Sequence, residues 1–243
     1  MFKVLENEVF KTKRTIIRPI TVLFPLLVVV FTVLFFNSTG YVLESTINQW
    51  SFLWLNLYLA LIIGLIDRHE KNSTEYKIIL SSPTNLFAYE LGRILHGVLL
   101  SLVVSLVLGV FLLLTGLISP VRVGIMPCLT AVGGLFLTTI WEIPLYTWLS
   151  RISNLYVTVG LAFIGSMIGL YCVTTFSWGQ VLPYSWSDLF PVALIKLHIN
   201  GTPIKISEVG PNSSWTIFAS IGLFIIFSYL AAYSFQKQVI KNA

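Results

Sequence analysis

Apolar residues in this chain gather in six long runs, at about 19–36, 50–66, 94–118, 125–149, 155–176 and 215–235. Each is close to the ~20 residues an α-helix needs to cross a hydrocarbon core. The pattern predicts an all-α membrane protein, a single transmembrane domain over 1–243 with six spanning helices. Ahead of the first run, residues 1–18 segregate at helical period. Phe2, Leu5, Val9 and Ile16 fall on one side, and Lys3, Asn7, Lys11, Arg14 and Arg18 on the other. A helix lying in the headgroup layer needs that division.

Two stretches between the runs break the pattern. Residues 67–93 form the one long polar island between deeply apolar segments. Asn72 followed by Glu75 reads as a helix start with its capping partner. Tyr76, Ile79 and Leu80 would share one side of a short helix. Pro83 disfavours helical geometry at Ser82 and stops it, and Thr84 can cap the helix that follows. Glu90 and Arg93 stand three apart on that next helix, where an ion pair would fix its tilt. The second stretch, 181–195, is too apolar for a solvated loop, with Tyr184, Trp186, Phe190 and a single charge, Asp188. It reads either as short helices dipping back into the outer leaflet against the bundle or as a lid lying flat on the membrane. By contrast, residues 37–49 read as an ordinary outer connection.

Composition agrees with lipid as the solvent. Hydrophobic residues are 56% of the 243 and charged residues 10%, against about 25% charged in soluble domains. The net charge of +5 follows the membrane and is not a nucleic-acid signature. With the N-terminus inside, Lys3, Lys11, Lys13, Arg14, Arg18, Arg68, Lys71, Lys77, Arg93, Arg151, Lys237 and Lys241 fall on inner segments. Only Arg122, Lys196 and Lys205 fall on outer ones. The bias places both termini and the 67–93 island in the cytoplasm.

Catalytic machinery is not apparent. There is no phosphate-binding G-x-x-x-x-G-K-[ST] loop, no zinc-protease helix and no serine nucleophile elbow. The three histidines, His69, His96 and His198, are far apart, and no metal site is expected. Cys128 and Cys172 are too few for a disulfide framework. Glu142, in Trp141-Glu142-Ile143-Pro144, is the intramembrane acid. It reads either as a hinge or binding point for a cationic peptide, or as a structural glutamate that is protonated or hydrogen-bonded. Gly160, Gly165 and Gly169, with Ala162 and Ser166, offer a small-residue seam for another helix.

These features together resemble the ABC-2 type permeases. The matching features are the N-terminal Glu6-x-x-x-Phe10-Lys11-x-Lys13-Arg14, the six spans, the hairpin between spans two and three, and the apolar outer segment between spans five and six. Leu80-Ser81-Ser82-Pro83, Ile143-Pro144-Leu145 and Leu182-Pro183-Tyr184-Ser185-Trp186 are similar to the membrane subunits of lantibiotic self-protection exporters, the E/G-type immunity permeases.

The resemblance implies a cytoplasmic ATPase dimer as partner, which would carry the ATP and magnesium, with no cofactor on this chain. It also implies a second related permease, a heterodimer being expected and a homodimer left open, in a bacterial cell membrane. The family's coupling helix would fall on 73–82, with Glu75, Tyr76, Ile79, Leu80 and Pro83 meeting the ATPase and Glu90 and Arg93 supporting it. Tyr184, Trp186 and Phe190 would belong to the outer segment that meets a cationic antimicrobial peptide. On this reading the chain is not itself an enzyme. The competing readings are a non-transporting scaffold or sensor of peptide stress, and an intramembrane lipid enzyme using Glu142.

Overall fold

A computed structural model describes residues 2–74, 85–119, 121–204 and 213–242, and all of its regular elements are helices. In chain order they are α1 (Phe2–Lys11), α2 (Ile17–Phe36), α3 (Val42–Gln49), α4 (Leu55–Thr74), α5 (Leu86–Ile118), α6 (Ile125–Thr139), α7 (Glu142–Ile152), α8 (Leu155–Thr175), α9 (Trp186–Ile195) and α10 (Trp215–Asn242). Four of these form stretches long and apolar enough to cross a bilayer without a partner: α2, α5, α8 and α10. The stretch from α3 through α4 is a fifth. The bent pair α6–α7, with 46° between its halves, is apolar and long enough only when taken together, which gives six if it is one span.

That pair runs the length of the bundle. Its start lies beside the end of α5, where the Val123 amide donates to Glu44 at 3.0 Å. Its finish lies beside the start of α5, where Arg151 reaches Glu90. Pro144 accounts for the break. It has no N–H to offer the carbonyl one turn back, at Ile140, and its ring crowds that carbonyl. The helix stops at Thr139 and restarts at Glu142. The apolar pattern alone reads as one unbroken span over 125–149, so the bend is a correction.

Two further boundaries differ from the sequence reading. Residues 42–49 are a buried helix, joined to α4 by a π-helical turn at Trp50–Trp54, and not an outer loop. Glu44, Ser45, Thr46 and Asn48 dilute the apolar signal there, yet all are buried against neighbours. Thr46 and Thr32 of α2 meet through their hydroxyls at 2.6 Å. Similarly, α4 continues through Asp67 to Thr74, so Asn72 lies inside its last turn and begins no new helix. Asn85 caps α5 by accepting from the amides of Phe87 and Ala88 at 3.0 and 3.3 Å.

α4 sits centrally, packed on α7 and α8, while α5 takes α1, α2, α6 and α10. Phe24, Trp50, Trp54 and Tyr58 form an aromatic cluster between α2 and α4. The outward faces carry Leu27, Leu34, Leu106, Leu117, Phe218 and Ile225 exposed. Apolar groups outside and hydroxyls and small residues inside is the arrangement a lipid solvent favours. α1 follows the sequence reading only in part. Glu8 and Thr12 lie on its buried face, and Phe10 and Ile16 point outward.

Candidate functional site

Four helices bring charge to one end of the bundle. Asp67, Glu70 and Lys71 lie at i, i+3 and i+4 on the last turns of α4, so they share one face. Glu90 and Arg93 lie on the first turns of α5, Glu8 and Lys11 on α1, and Arg151 on the last turn of α7. Arg93 reaches Asp67 at 3.1 Å and Glu90 at 3.7 Å, and Arg151 pairs with Glu90. Lys71 binds Asp67 at 3.2 Å and donates to the carbonyls of Ser150 and Arg151, where a helix C-terminus favours a cation. Lys11 joins Glu8 at 2.9 Å to Glu70 at 2.8 Å. The Arg151 guanidinium also lies over the Phe235 ring of α10, 4.3 Å from its centre.

This network contains four acids and four bases, and its middle is dry. Glu90 is 0% exposed, Asp67 1% and Arg93 3%. Desolvating an ion costs several kcal/mol even after relaxation, so the pairing in the sequence Lys71, Asp67, Arg93, Glu90, Arg151 is what makes such burial tolerable. At the rim, burial pulls the Lys11 ammonium down, but its bonds to Glu70 and Glu8 outweigh this and raise its pKa above the ordinary lysine value. Lys11 therefore stays charged throughout the neutral range. His96 is buried beside the network, its Nε2 3.3 Å from the Thr12 hydroxyl.

The arrangement flanks residues 75–84 on both sides, since α4 ends at Thr74 and α5 begins at Leu86. Of the residues that sequence reasoning assigned to coupling, Glu75, Tyr76, Ile79, Leu80 and Pro83 lie outside the described residues. Glu90 and Arg93 are brought together as the spacing implies, but as the centre of a five-residue chain of charge. Asp67, Lys71, Arg151, Glu8 and Lys11 were not assigned to this site from the sequence. The one local signal was the shared face of Asp67, Glu70 and Lys71.

At the opposite end, Ser177–Val181, Pro183–Ser185 and α9 fold back against the bundle. Tyr184 lies on α8, where glycine lets it come close. A Cβ at Gly165 would sit 2.6 Å from its ring, and one at Gly169 2.8 Å from its carbonyl carbon. The small-residue seam of α8 thus receives Tyr184 on this line, while Ser166 accepts from Asn56 of α4 at 2.8 Å. Phe190 occupies the space at Gly134 of α6. Trp186 packs edge-on to Trp141 and Trp215. Trp186 and Phe190 are buried and Tyr184 half-buried, so in this conformation their rings face the protein and not the outside. The exposed apolar groups of the segment are Phe176, Trp178 and Val181, with the first two rings stacked at 5.2 Å.

Glu142 opens α7, and Asp188 lies in the first turn of α9. They are 1% and 2% exposed, enclosed with Trp141, Tyr146 and Tyr184. Glu142 interacts with Asp188 and hydrogen-bonds Tyr146, whose hydroxyl is 3.4 Å from that of Tyr184. A helix N-terminus favours an anion by about 0.3–1 kcal/mol, up to about 2 when partly buried. Burying an unpaired carboxylate costs several kcal/mol, so helix ends offset only part of it.

Among the described residues, no group of three or more His, Cys, Asp or Glu could hold a metal ion. Cys128 and Cys172 are free and buried. Comparison with models of known protein families and with curated proteins finds no match for this chain.

Proposed function

We propose that this chain is the membrane subunit of an ATP-driven exporter of the ABC-2 permease type, similar to the lantibiotic-immunity permeases. The observation that supports this most is the buried charge network on both flanks of residues 75–84. A partner pressing on that segment would act on α4 and α5 at once. The paired charges then carry the displacement into α1 and α7, and through the Arg151–Phe235 contact into α10. Paired buried ions resist separation, so the helix ends move as a unit. That is the property required of a subunit that does no chemistry itself and is driven by an ATPase from the cytoplasm.

On this reading the charged end faces the cytoplasm of a bacterial cell and the α9 end faces outward. The cargo is a cationic amphipathic antimicrobial peptide, removed from the membrane. The stacked, exposed Phe176 and Trp178 fit an apolar cargo surface at the outer end. A second permease subunit completes the assembly.

The test is purification of the full chain from its native membrane, followed by assay of ATP hydrolysis and of peptide resistance in the producing cells. A cytoplasmic ATPase is expected to co-purify. Its binding and the resistance are both expected to be lost on Tyr76→Asp, Ile79→Asp or Leu80→Asp. Full resistance in all three variants, or resistance that survives inactivation of the ATPase, overturns the proposal.

A further inference from the structure

We propose that Glu142 and Asp188 form a proton-binding pair that holds at least one proton in this conformation and releases it when the seam between α6–α7 and α9 opens to water. Both side chains are more than nine-tenths buried, and both Asp188 oxygens and the Glu142 Oε2 have no hydrogen-bond partner. Such orphaned acceptors are costly when charged and tolerable when neutral. Trp141 meets both Tyr184 and Trp186, which brings Glu142 and Asp188 into one apolar seam, where like charges disfavour each other's ionisation.

Among the described residues, no base is paired with either acid. The groups that face the pair are each other, Tyr146 and Tyr184. On α7 itself, Arg151 lies nine residues on, about 13 Å along the helix, and is engaged by Glu90. On α4, Lys71 is held by Asp67, and on α5, Arg93 is held by Asp67 and Glu90. Also on α5, His96 lies beside Thr12, at the charged end. On α10, Lys237 lies over Tyr233. Lys196, past the end of α9, is exposed about 12 Å along from Asp188. α3 brings another acid, Glu44, and α6 and α8 bring Cys128 and Cys172.

A metal ion is a poorer fit than a proton. Among the described residues two carboxylates meet here, and a neighbouring cavity of about 560 Å³ between α7 and α10 is lined by Pro144, Trp148 and Phe227 and not by either acid. The phenols supply a path for the proton. Each hydroxyl has one hydrogen to give. With Glu142 protonated the bonds run from Glu142 to Tyr146 to Tyr184, and with Glu142 ionised they run in reverse. The pair sits where the span is broken and where α9 docks, so separating α9 from α6 exposes the acids and favours ionisation.

Infrared spectroscopy of the full-length chain in lipid bilayers tests this directly, because a protonated carboxyl has a carbonyl stretch well separated from that of a carboxylate. At neutral pH such a band is expected. It should shift or shrink in Glu142→Gln and in Asp188→Asn, where one buried acid remains, be lost in the doubly substituted chain, and be retained in Glu6→Gln, an exposed acid. In the unsubstituted chain the same band must bleach as pH rises, a readout that needs no variant. As it bleaches, amide exchange across Trp186–Ile195, corrected for its intrinsic pH dependence, should rise severalfold. The doubly substituted chain should show no such rise. The proposal is overturned by the absence of any band sensitive to either substitution, by bleaching on addition of sodium or potassium at constant pH, or by exchange in the unsubstituted chain that does not follow the band.

Discussion

Arg93 has Asp67 at 3.1 Å and Glu90 at 3.7 Å, and almost no contact with solvent. Its value lies less in the attraction itself than in what its removal would leave. Arg93→Ala takes one of two bases from each of two buried acids, leaving Asp67 with Lys71 and Glu90 with Arg151, so the cost should approach, without exceeding, the ~3–5 kcal/mol of breaking a buried pair. We expect a correspondingly large fall in unfolding temperature, or loss of folded yield, for the purified chain in detergent. Arg93→Lys should fall between, since an ammonium cannot present the planar fork that spans two carboxylates. Arg68 is exposed on α4, next to Asp67, and Arg68→Ala should stay within about 0.5 kcal/mol of the parent. Equal effects at the two arginines would remove the distinction between a dry network and a wet surface.

Elements in this bundle dock by fitting rings onto glycines. α9 depends on the absence of a side chain at Gly134, where an added methyl would meet the Phe190 ring. Alanine would improve helix propensity by roughly 0.5–1 kcal/mol, but overpacking a filled site costs about 1–3 kcal/mol. Gly134→Ala is therefore expected to destabilise, and Phe190→Leu in the same chain to recover much of the loss. Thermal unfolding of the four chains gives the coupling, which should be well away from zero.

The same elements show what a sequence can and cannot disclose. The long runs were readable because each carries enough apolar residues to stand alone. α3 was hidden because Glu44, Thr46 and Asn48 meet their partners, the Val123 amide, the Thr32 hydroxyl and the Ile199 carbonyl, only once the bundle has formed. The break at Ile140 is caused by Pro144, but whether a membrane helix kinks or continues is settled by the packing around it. Glu90 and Arg93 were visible through their spacing. Their partners Asp67 and Arg151 come from other helices, and no local periodicity connects them. The inward rings of Trp186 and Phe190 could not be told from outward ones, because a re-entrant segment and a surface lid have the same composition.

For the whole molecule, the course of the bent pair sets the number of crossings. α6–α7 reaches from Glu44 at one end to Glu90 at the other. Three traversals therefore separate residue 72 from residue 200, namely α5, the bent pair and α8. Single cysteines at Asn72 and Asn200, in a chain with Cys128 and Cys172 replaced, should react with impermeant reagent from opposite sides of the membrane. Labelling from one side would make the bent pair a re-entrant element and reduce the bundle to five crossings.

The order in which the network's members appear along the chain bears on how the protein is made. Asp67 and Glu90 each emerge with one local base, Lys71 and Arg93, but their second bases, Arg93 for Asp67 and Arg151 for Glu90, arrive only with a later helix. Until α7 leaves the ribosome, Glu90 lacks its Arg151 partner, and α5 has reason to linger at the insertion machinery instead of settling among lipids. Nascent chains cut before residue 142 should remain cross-linked to the insertase and be degraded, whereas chains extending past 152 should be released. Arg151 is then the latch that tells the cell the first two-thirds of the bundle is complete.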